Sequence, residues 1–321
     1  MRLPQLFLDS QFFQFSSLSE LYRAGEGNIS ASECAQMQVL ANMGLPPITS
    51  RAALAAMLGI NPGLIWSFET RPSRHYRTFY IPKGKGLRRI DAPRVALKIV
   101  QKWIGFQLAK KYGPPKHVYG FVEGRSHIDA AQLHCGASWV FGVDIQGFFP
   151  STPIGMVAKS LVHIGFDELG ATLIARLCCF QDVLAQGAPS SPVLSNICFS
   201  QYDALLSEIA EKYSVRLTRY ADDIVFSGSG EFPSALKGDV YSLFAVGPWS
   251  LSEQKTKLSI LPQRLKVHGL LVHGSKVRLT KGYRNRLRAY EHLLALGRIT
   301  SESMDSVKGH LGYKRQVEKR V

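Results

Sequence analysis

Residues 217–227 read LTRYADDIVFS, and they indicate what kind of fold the chain adopts. Apolar, β-branched and aromatic residues on both sides of Ala221-Asp222-Asp223 predict a β-hairpin with two carboxylates at its tip. Adjacent carboxylates repel each other, and a divalent cation relieves that repulsion. Aspartate is also an ordinary turn residue, so this pair alone does not define a metal site.

A third acid, Asp144, ends a hydrophobic run at residues 138–145 that predicts a buried strand. A carboxylate in such a strand is costly unless it is paired or bound to a metal. Because no set of histidine and cysteine ligands accompanies it, these hard oxygen donors point to Mg²⁺. Two Mg²⁺ ions held by about three carboxylates are what in-line nucleotidyl transfer requires. We therefore expect Asp144, Asp222 and Asp223 to converge on two magnesium ions.

Three stretches resemble, in order and spacing, the palm motifs of reverse transcriptases. They are DIQGFFPS at 144–151, QGAPSSP at 186–192 and YADD at 220–223. The resemblance is greatest to bacterial retron enzymes, with group II intron enzymes next, and it extends from Tyr76 to Gly269. It implies an α+β right-hand polymerase, in which an antiparallel palm sheet packs on helices, with basic fingers and a short helical thumb.

The resemblance also implies a division into four parts. These are a helical N-terminal extension at 1–70, fingers at 71–135 with parts of 155–190, a palm at 136–274 and a helical thumb at 275–321. Local patterns add a hairpin with a cationic tip at 76–93 and helices at 32–43, 52–58, 96–111, 161–177 and 233–246.

At the catalytic centre, the resemblance implies that the metal ligands are Asp144, the carbonyl of Ile145, Asp222 and Asp223. Lys255 matches a loop lysine that can protonate the leaving pyrophosphate, and Lys257 is the alternative.

The nucleotide contacts that the resemblance implies are Lys83, Arg88, Gly147, Phe148, Phe149 and Gln186. Arg88 matches an arginine of the fingers that grips the triphosphate through two hydrogen bonds. Phe149 matches the position where a bulky ring excludes a ribose 2′-hydroxyl, which predicts use of dNTPs over rNTPs. Core packing is the alternative for Phe149, and a solvated basic turn is the alternative for Lys83.

The nucleic-acid contacts that the resemblance implies are His134, Tyr220, His268, Gly269, Lys281, Arg284, Arg288, Lys314 and Arg315. A structural role is the alternative for His134, because a lone histidine is more often structural. Two positions depart from the retron pattern. Ala130 replaces the asparagine of an Asn-Ala-x-x-His signature, and His268 replaces the threonine of a Val-Thr-Gly primer-grip hairpin. These departures leave a different reverse transcriptase subtype open.

Charge is distributed unevenly along the 321 residues, whose formal net charge is +15. Residues 71–118 and 255–321 each carry +12, and the remainder carries −9. Two basic segments suit a polyanion held from both sides. The five cysteines, with no C-x-x-C pair, favour buried thiols in a reducing cytoplasm, and neither a signal peptide nor a membrane span is expected.

These patterns lead to an expected function. We expect an RNA-directed DNA polymerase of the retron type that uses dNTPs to copy a cognate structured noncoding RNA into msDNA. The resemblance further implies priming from an RNA 2′-hydroxyl, an RNA–DNA hybrid product, and a separate effector protein in antiphage defence. The alternatives are a group II intron-like or other defence-associated reverse transcriptase, and a non-enzymatic RNA-binding scaffold, which the presence of all three acids disfavours.

Overall fold

The fold is described from a computed structural model, which covers residues 3–25, 29–84, 86–297 and 303–319. Its helices are α1 (Gln5–Asp9), α2 (Leu18–Ala24), α3 (Ala31–Asn42), α4 (Arg51–Leu58), α5 (Pro62–Thr70), α6 (Val95–Lys111), α7 (His127–Leu133), α8 (Ile154–His163), α9 (Glu168–Cys178), α10 (Ser191–Lys212), α11 (Ser234–Phe244), α12 (Lys281–Ala295) and α13 (Met304–Lys319). Its strands are β1 (Tyr76–Lys83), β2 (Gly86–Pro93), β3 (Trp139–Asp144), β4 (Cys179–Phe180), β5 (Val183–Leu184), β6 (Arg216–Tyr220), β7 (Asp223–Gly228), β8 (Lys257–Ile260), β9 (Lys266–Val267) and β10 (Leu270–Leu271).

The chain divides into two compact units that each combine separate segments. Unit 1 contains Met1–Pro114, Gln146–Gln201 and Gly247–Trp249, and unit 2 contains Pro115–Ile145, Tyr202–Val246 and Ser250–Val321. The four-part division into extension, fingers, palm and thumb stays a prediction.

Unit 2 is built on a four-stranded antiparallel sheet in the order β6-β7-β3-β8. Strand β3 lies inside the sheet and is apolar, with five of its six residues buried, as expected for a strand covered on both faces. Val140 of β3 and Val225 of β7 belong to a core that also receives Ile128 from α7, Leu287 from α12 and Leu311 from α13. This packing holds the sheet against α7, α12 and α13.

Unit 1 combines helices with the long β1–β2 hairpin, whose register runs from Tyr76 opposite Pro93 to Lys83 opposite Gly86. Helix α6 buries Trp103, whose indole nitrogen donates a 3.1 Å hydrogen bond to the carbonyl of Ser10. This contact ties the first residues of the chain to the helix that follows the hairpin.

Most of the helices and hairpins expected from sequence are present, and their ends follow capping chemistry. Helix α4 begins after Ser50, whose hydroxyl accepts from the Ala53 amide, and ends at Gly59, whose φ of 64° is left-handed. The hairpins expected around residues 76–93 and 217–227 form β1–β2 and β6–β7. Both predictions are confirmed.

The prediction of a single helix at 161–177 is wrong, because two helices, α8 and α9, occupy this region. The helical conformation is interrupted at Gly165, which has a φ of 122°. A Cβ at this position would lie 2.4 Å from Cε of Met43. Asp167 then caps α9 by accepting a hydrogen bond from the Gly170 amide. Apolar residues continue through the break, so periodicity alone did not show it.

The five cysteines are free thiols. Cys178, Cys179 and Cys198 are buried, whereas Cys34 and Cys135 are half-buried. Burial raises the pKa of Cys178 and of Cys198 to about 12, so these thiols stay protonated at neutral pH. Among the described residues, no helix is both long and apolar enough to cross a bilayer.

Candidate catalytic centre

Two of the three predicted acids face each other across neighbouring strands of unit 2. In the β3–β7 pairing, Asp144 is directly opposite Asp223. Asp222 lies in the β6–β7 turn, and its carbonyl accepts a 3.0 Å hydrogen bond from the Ile145 amide. The turn is possible because Ala221 adopts a left-handed φ of 58°. Residues about 80 positions apart in sequence are thereby brought to one end of the sheet.

Lys255 neutralises the most buried of these acids. Asp144 is only 6% exposed, and Nζ of Lys255 lies 2.5 Å from its Oδ1. Burial raises the pKa of Asp144, the hydrogen bond from Lys255 opposes this, and the charges of Asp222 and Asp223 raise it again, with a net rise. The carboxylate therefore lies where a positive charge is needed.

His268 is placed beside Asp223 by the tight β9–β10 turn. His268 and Gly269 have φ values of 48° and 82°, as the two central residues of a type I′ hairpin turn require. Nδ1 of His268 lies 3.6 Å from Oδ2 of Asp223, and its ring centroid is 5.3 Å from that of Tyr220. Burial raises the pKa of Asp223, but the hydrogen bond and charge of His268, with Asp144 and Lys255, bring it below its ordinary value.

The donor set is compatible with a hard cation. Two facing carboxylates, the adjacent Asp222 and the backbone carbonyl of Ile145 supply only oxygen donors, which suit Mg²⁺. The ammonium of Lys255 already occupies one position against Asp144 where such a cation would be stabilised. Across the described ranges, no group of three or more His, Cys, Asp or Glu side chains has the arrangement of a ready-made metal site. The ligand roles of these residues therefore stay predictions.

Three of the predicted nucleotide contacts lie together in unit 1. Lys83, Arg88 and Gln186 line a cavity of about 350 Å³ beside the β1–β2 hairpin. The Gln186 carbonyl accepts a 2.9 Å hydrogen bond from the Asp91 amide, which joins the second motif to the hairpin. The next residue, Gly187, must be glycine, since a Cβ there would lie 2.9 Å from the Ile90 side chain. Arg89 also lines this cavity but is bound to Asp91 and Gln181, so the cations of Lys83 and Arg88 are the ones that suit a polyphosphate.

The other three predicted nucleotide contacts follow Asp144 in the tight turn at 146–151. Gly147 has a φ of 58°, and its carbonyl accepts a 2.8 Å hydrogen bond from the Ser151 amide. Phe148 is buried against Phe199, with ring centroids 5.6 Å apart. Phe149 stacks on Phe148 and stays half-exposed. The ring of Phe148 is thus a core side chain, whereas that of Phe149 is accessible.

A direct RNA contact by His134 does not fit the structure. The side chain is completely buried, with Nδ1 2.7 Å from Oγ of Ser227 and Nε2 2.7 Å from Oγ1 of Thr218. Both ring nitrogens are used, and burial lowers the pKa of His134 to about 3, so the ring is neutral. His134 instead links strands β6 and β7. Of the two roles that the sequence leaves open for His134, the structural one fits its burial.

The predicted cations of the last two helices are exposed, except for Lys314. Lys281, Arg284 and Arg288 project from the exposed face of α12, and Arg315 is exposed on α13. Lys314 instead donates a 2.7 Å hydrogen bond to Glu291 of α12. The exposed cations can meet phosphates, whereas Lys314 also ties the two helices together.

Sequence reasoning gave no role to two buried charged residues next to this centre. Arg219 lies within the quoted stretch, and Asp203 lies in α10; both are completely buried and form an ion pair. A charged residue inside an apolar strand pattern must find a partner, and that signal was present at Arg219.

The comparisons with known proteins agree with this geometry. The model of the family "Reverse transcriptase (RNA-dependent DNA polymerase)" matches residues 81–308. Retron Ec86 reverse transcriptase of Escherichia coli is 26% identical over 87% of this chain and 88% of its own length. Retron Mx65 reverse transcriptase of Myxococcus xanthus is 30% identical over 85% of this chain and 68% of its own length.

A solved telomerase structure from Candida albicans, in complex with a fragment of telomeric RNA, also matches. Its TM-score is 0.48, at 10% identity over 71% of this chain and 52% of that one. A likeness this low has no bearing on function.

Proposed function

This chain belongs to the reverse transcriptase family and is an RNA-directed DNA polymerase of the retron type, and we propose that it copies a cognate structured noncoding RNA into msDNA. Synthesis would start from a 2′-hydroxyl of that RNA and leave a branched RNA–DNA product. Similarity to retron enzymes over more than four-fifths of the chain supports this proposal.

The proposed chemistry is two-metal nucleotidyl transfer. Reverse transcriptases generally use divalent metals, and here Asp144, Asp222, Asp223 and the Ile145 carbonyl would hold two Mg²⁺ ions. When bound, such ions supply charge stabilisation for the attacking and leaving oxygens. The single observation that carries this assignment is the position of Asp144 opposite Asp223, with Asp222 in the adjoining turn.

The protein's own groups would do the rest. Arg88 and Lys83 would hold the triphosphate of the incoming dNTP, and Phe149 would pack against its sugar and exclude a 2′-hydroxyl. Lys255 would hold Asp144 before the substrate binds and would then donate a proton to the leaving pyrophosphate. The basic faces of α12 and α13 would hold the template RNA and its hybrid with the new DNA.

Primer extension on an RNA template tests the catalytic assignment. Asp222→Asn should abolish extension and leave template–primer binding intact. Asp239→Asn is the matched control, because Asp239 is an acid of unit 2 that pairs with Lys212 through a 2.6 Å hydrogen bond. Equal extension by Asp222→Asn and the parent would eliminate metal-dependent synthesis at this centre.

Sequencing the nucleic acid that co-purifies with the protein tests the proposed template. One branched RNA–DNA species supports msDNA synthesis, whereas a diverse pool of cDNA overturns it. We further propose that the msDNA acts in the cytoplasm with a separate effector protein in antiphage defence. Phage plating on cells that carry the complete locus should then show protection that Asp222→Asn removes.

A further inference from the structure

Arg219 and Asp203 form an ion pair that is sealed inside unit 2. Both side chains are 0% exposed, with Nε of Arg219 2.7 Å from Oδ1 of Asp203 and Nη2 2.5 Å from Oδ2. His117 approaches the same carboxylate, with Nε2 3.4 Å from Oδ1. Burying two charges is costly even when they are paired. Apolar residues of similar size would therefore fill this space with equal or greater stability.

The third guanidinium nitrogen reaches the catalytic turn. Nη1 of Arg219 donates a 3.1 Å hydrogen bond to the carbonyl of Ala221. Ala221 is the non-glycine residue with a left-handed φ of 58° that reverses the chain before Asp222. An L-residue adopts this conformation only when its surroundings impose it. The arginine therefore contacts the strained peptide that sets the direction of the two catalytic acids.

A second segment supports the same turn through its backbone. The amide of Arg219 donates to the His117 carbonyl at 2.7 Å, and the Tyr119 amide donates back to the Arg219 carbonyl at 2.8 Å. A Cβ on Gly120 would lie 2.1 Å from the backbone nitrogen of Ala221. The backbones of these two segments are therefore in contact, with no side chain between them. The turn is held by the guanidinium and by this close backbone contact.

We propose that Arg219, oriented by Asp203, is a positioning residue for catalysis. It holds Ala221 in the left-handed conformation and so keeps Asp222 and Asp223 aligned with Asp144. The planar guanidinium is needed because it must satisfy two carboxylate oxygens and a carbonyl at once. This inference rests on the proposed catalytic roles of Asp222 and Asp223.

Arg219→Lys tests the inference, because lysine keeps the charge but cannot make the three directed contacts. We expect kcat in primer extension to fall by about tenfold or more, since small displacements of catalytic groups have large effects on rate. The Mg²⁺ concentration for half-maximal activity should rise, while the dissociation constant for template–primer stays at the parental value. Asp203→Asn, which keeps size and one oxygen acceptor, should show the same pattern.

Two further variants separate positioning from general stability. Arg216→Lys is the matched control on the same strand, because the Arg216 guanidinium binds the carbonyls of Leu133 and Cys135 and not the turn. It should keep the parental kcat. Adding Ala221→Gly to Arg219→Lys should restore part of the lost kcat, because glycine adopts a left-handed φ without a side-chain penalty.

The outcomes distinguish this inference from the proposed function. Parental kcat and Mg²⁺ dependence in folded Arg219→Lys or Asp203→Asn overturns the inference, and so does an equal defect in Arg216→Lys. Loss of the circular dichroism spectrum in both Arg219→Lys and Asp203→Asn also overturns it, because the pair would then be a general stabiliser. Parental extension by Asp222→Asn instead removes the proposed function itself.

Discussion

The ammonium of Lys255 lies 2.5 Å from a carboxylate oxygen of Asp144, a residue 111 positions earlier in the chain. The Ser252 amide also donates a 2.8 Å hydrogen bond to the Asp144 carbonyl, so the loop that carries Lys255 is fixed at the end of β3. Lys257, the alternative considered from sequence, begins the neighbouring strand β8, with its side chain exposed. The structure thus places the side chain of Lys255 against Asp144 and leaves that of Lys257 exposed.

Replacing Lys255 with methionine should reduce single-turnover dNTP incorporation by about 100-fold, the usual contribution of a positioned proton donor. Template–primer binding should not change, because the ammonium of Lys255 is bound to the Asp144 carboxylate. Rapid-quench measurement of the first added nucleotide checks this. Lys257→Met is the control, and an equal loss in both variants would contradict the assignment.

Replacing Arg88 with lysine should raise the KM for dNTPs by about tenfold, equivalent to about 1.4 kcal/mol, since lysine cannot grip a phosphate with two hydrogen bonds. Steady-state extension at varied dNTP concentration measures it. Arg89→Lys is the neighbouring comparison, because Arg89 lines the same cavity but already binds Asp91 and Gln181. A parental KM in Arg88→Lys would place the triphosphate elsewhere.

Replacing Phe149 with alanine should increase the ratio of kcat/KM for an rNTP to that for the matching dNTP by about tenfold or more, because the steric block to the 2′-hydroxyl is removed. Phe149→Tyr should keep the parental ratio, since the ring remains. Single-nucleotide incorporation with paired rNTP and dNTP substrates gives both ratios. Unchanged discrimination in Phe149→Ala would mean that the ring serves the core alone.

The neutral, buried His134 predicts a pH dependence of stability. Its pKa of about 3 in the folded protein lies below the ordinary value of 6.5, so the unfolded chain binds a proton that the folded chain does not. This contribution is complete above pH 6.5 and is lost as the pH falls toward 3. Between about pH 7.5 and 5.5 it should remove about 1.4 kcal/mol from the free energy of unfolding.

Urea denaturation of the parent and of His134→Gln at those two pH values isolates this contribution. The variant should be less stable at the higher pH, because glutamine cannot bridge Ser227 and Thr218 in the same way. It should also lose less stability on acidification than the parent does. Equal losses in the two proteins would show that His134 is not the titrating group.

The amino-acid sequence predicts those parts of the site whose structure depends on neighbouring residues. The hairpin at Asp222-Asp223 and the buried strand ending at Asp144 were both predicted, because turn propensity and apolar runs are local properties. Their pairing followed from the requirement that three acids share one charge centre. The register that sets Asp144 opposite Asp223 is a product of tertiary packing and could not be read from either stretch alone.

The features that sequence reasoning missed depend on burial. The sequence leaves both an RNA contact and a structural role open for His134, and its partners Ser227 and Thr218 lie more than 80 residues away in sequence. Arg219 received no role, because its partner Asp203 resembles any polar residue of an amphipathic helix until α10 is packed. Long-range contacts decide which charged side chains are buried. Residue type and spacing along the sequence do not reveal this burial.

The distribution of thiols makes the protein convenient to label. Cys34 lies in unit 1 and Cys135 in unit 2, and both thiols are half-buried, whereas Cys178, Cys179 and Cys198 are buried. Burial also raises the pKa of the Cys135 thiol, so labelling calls for mildly alkaline buffer. A donor and an acceptor fluorophore attached through maleimides would therefore report the separation of the two units by resonance energy transfer. Such a ruler needs no engineered cysteine, and it would follow the units in real time as template RNA and dNTPs are added.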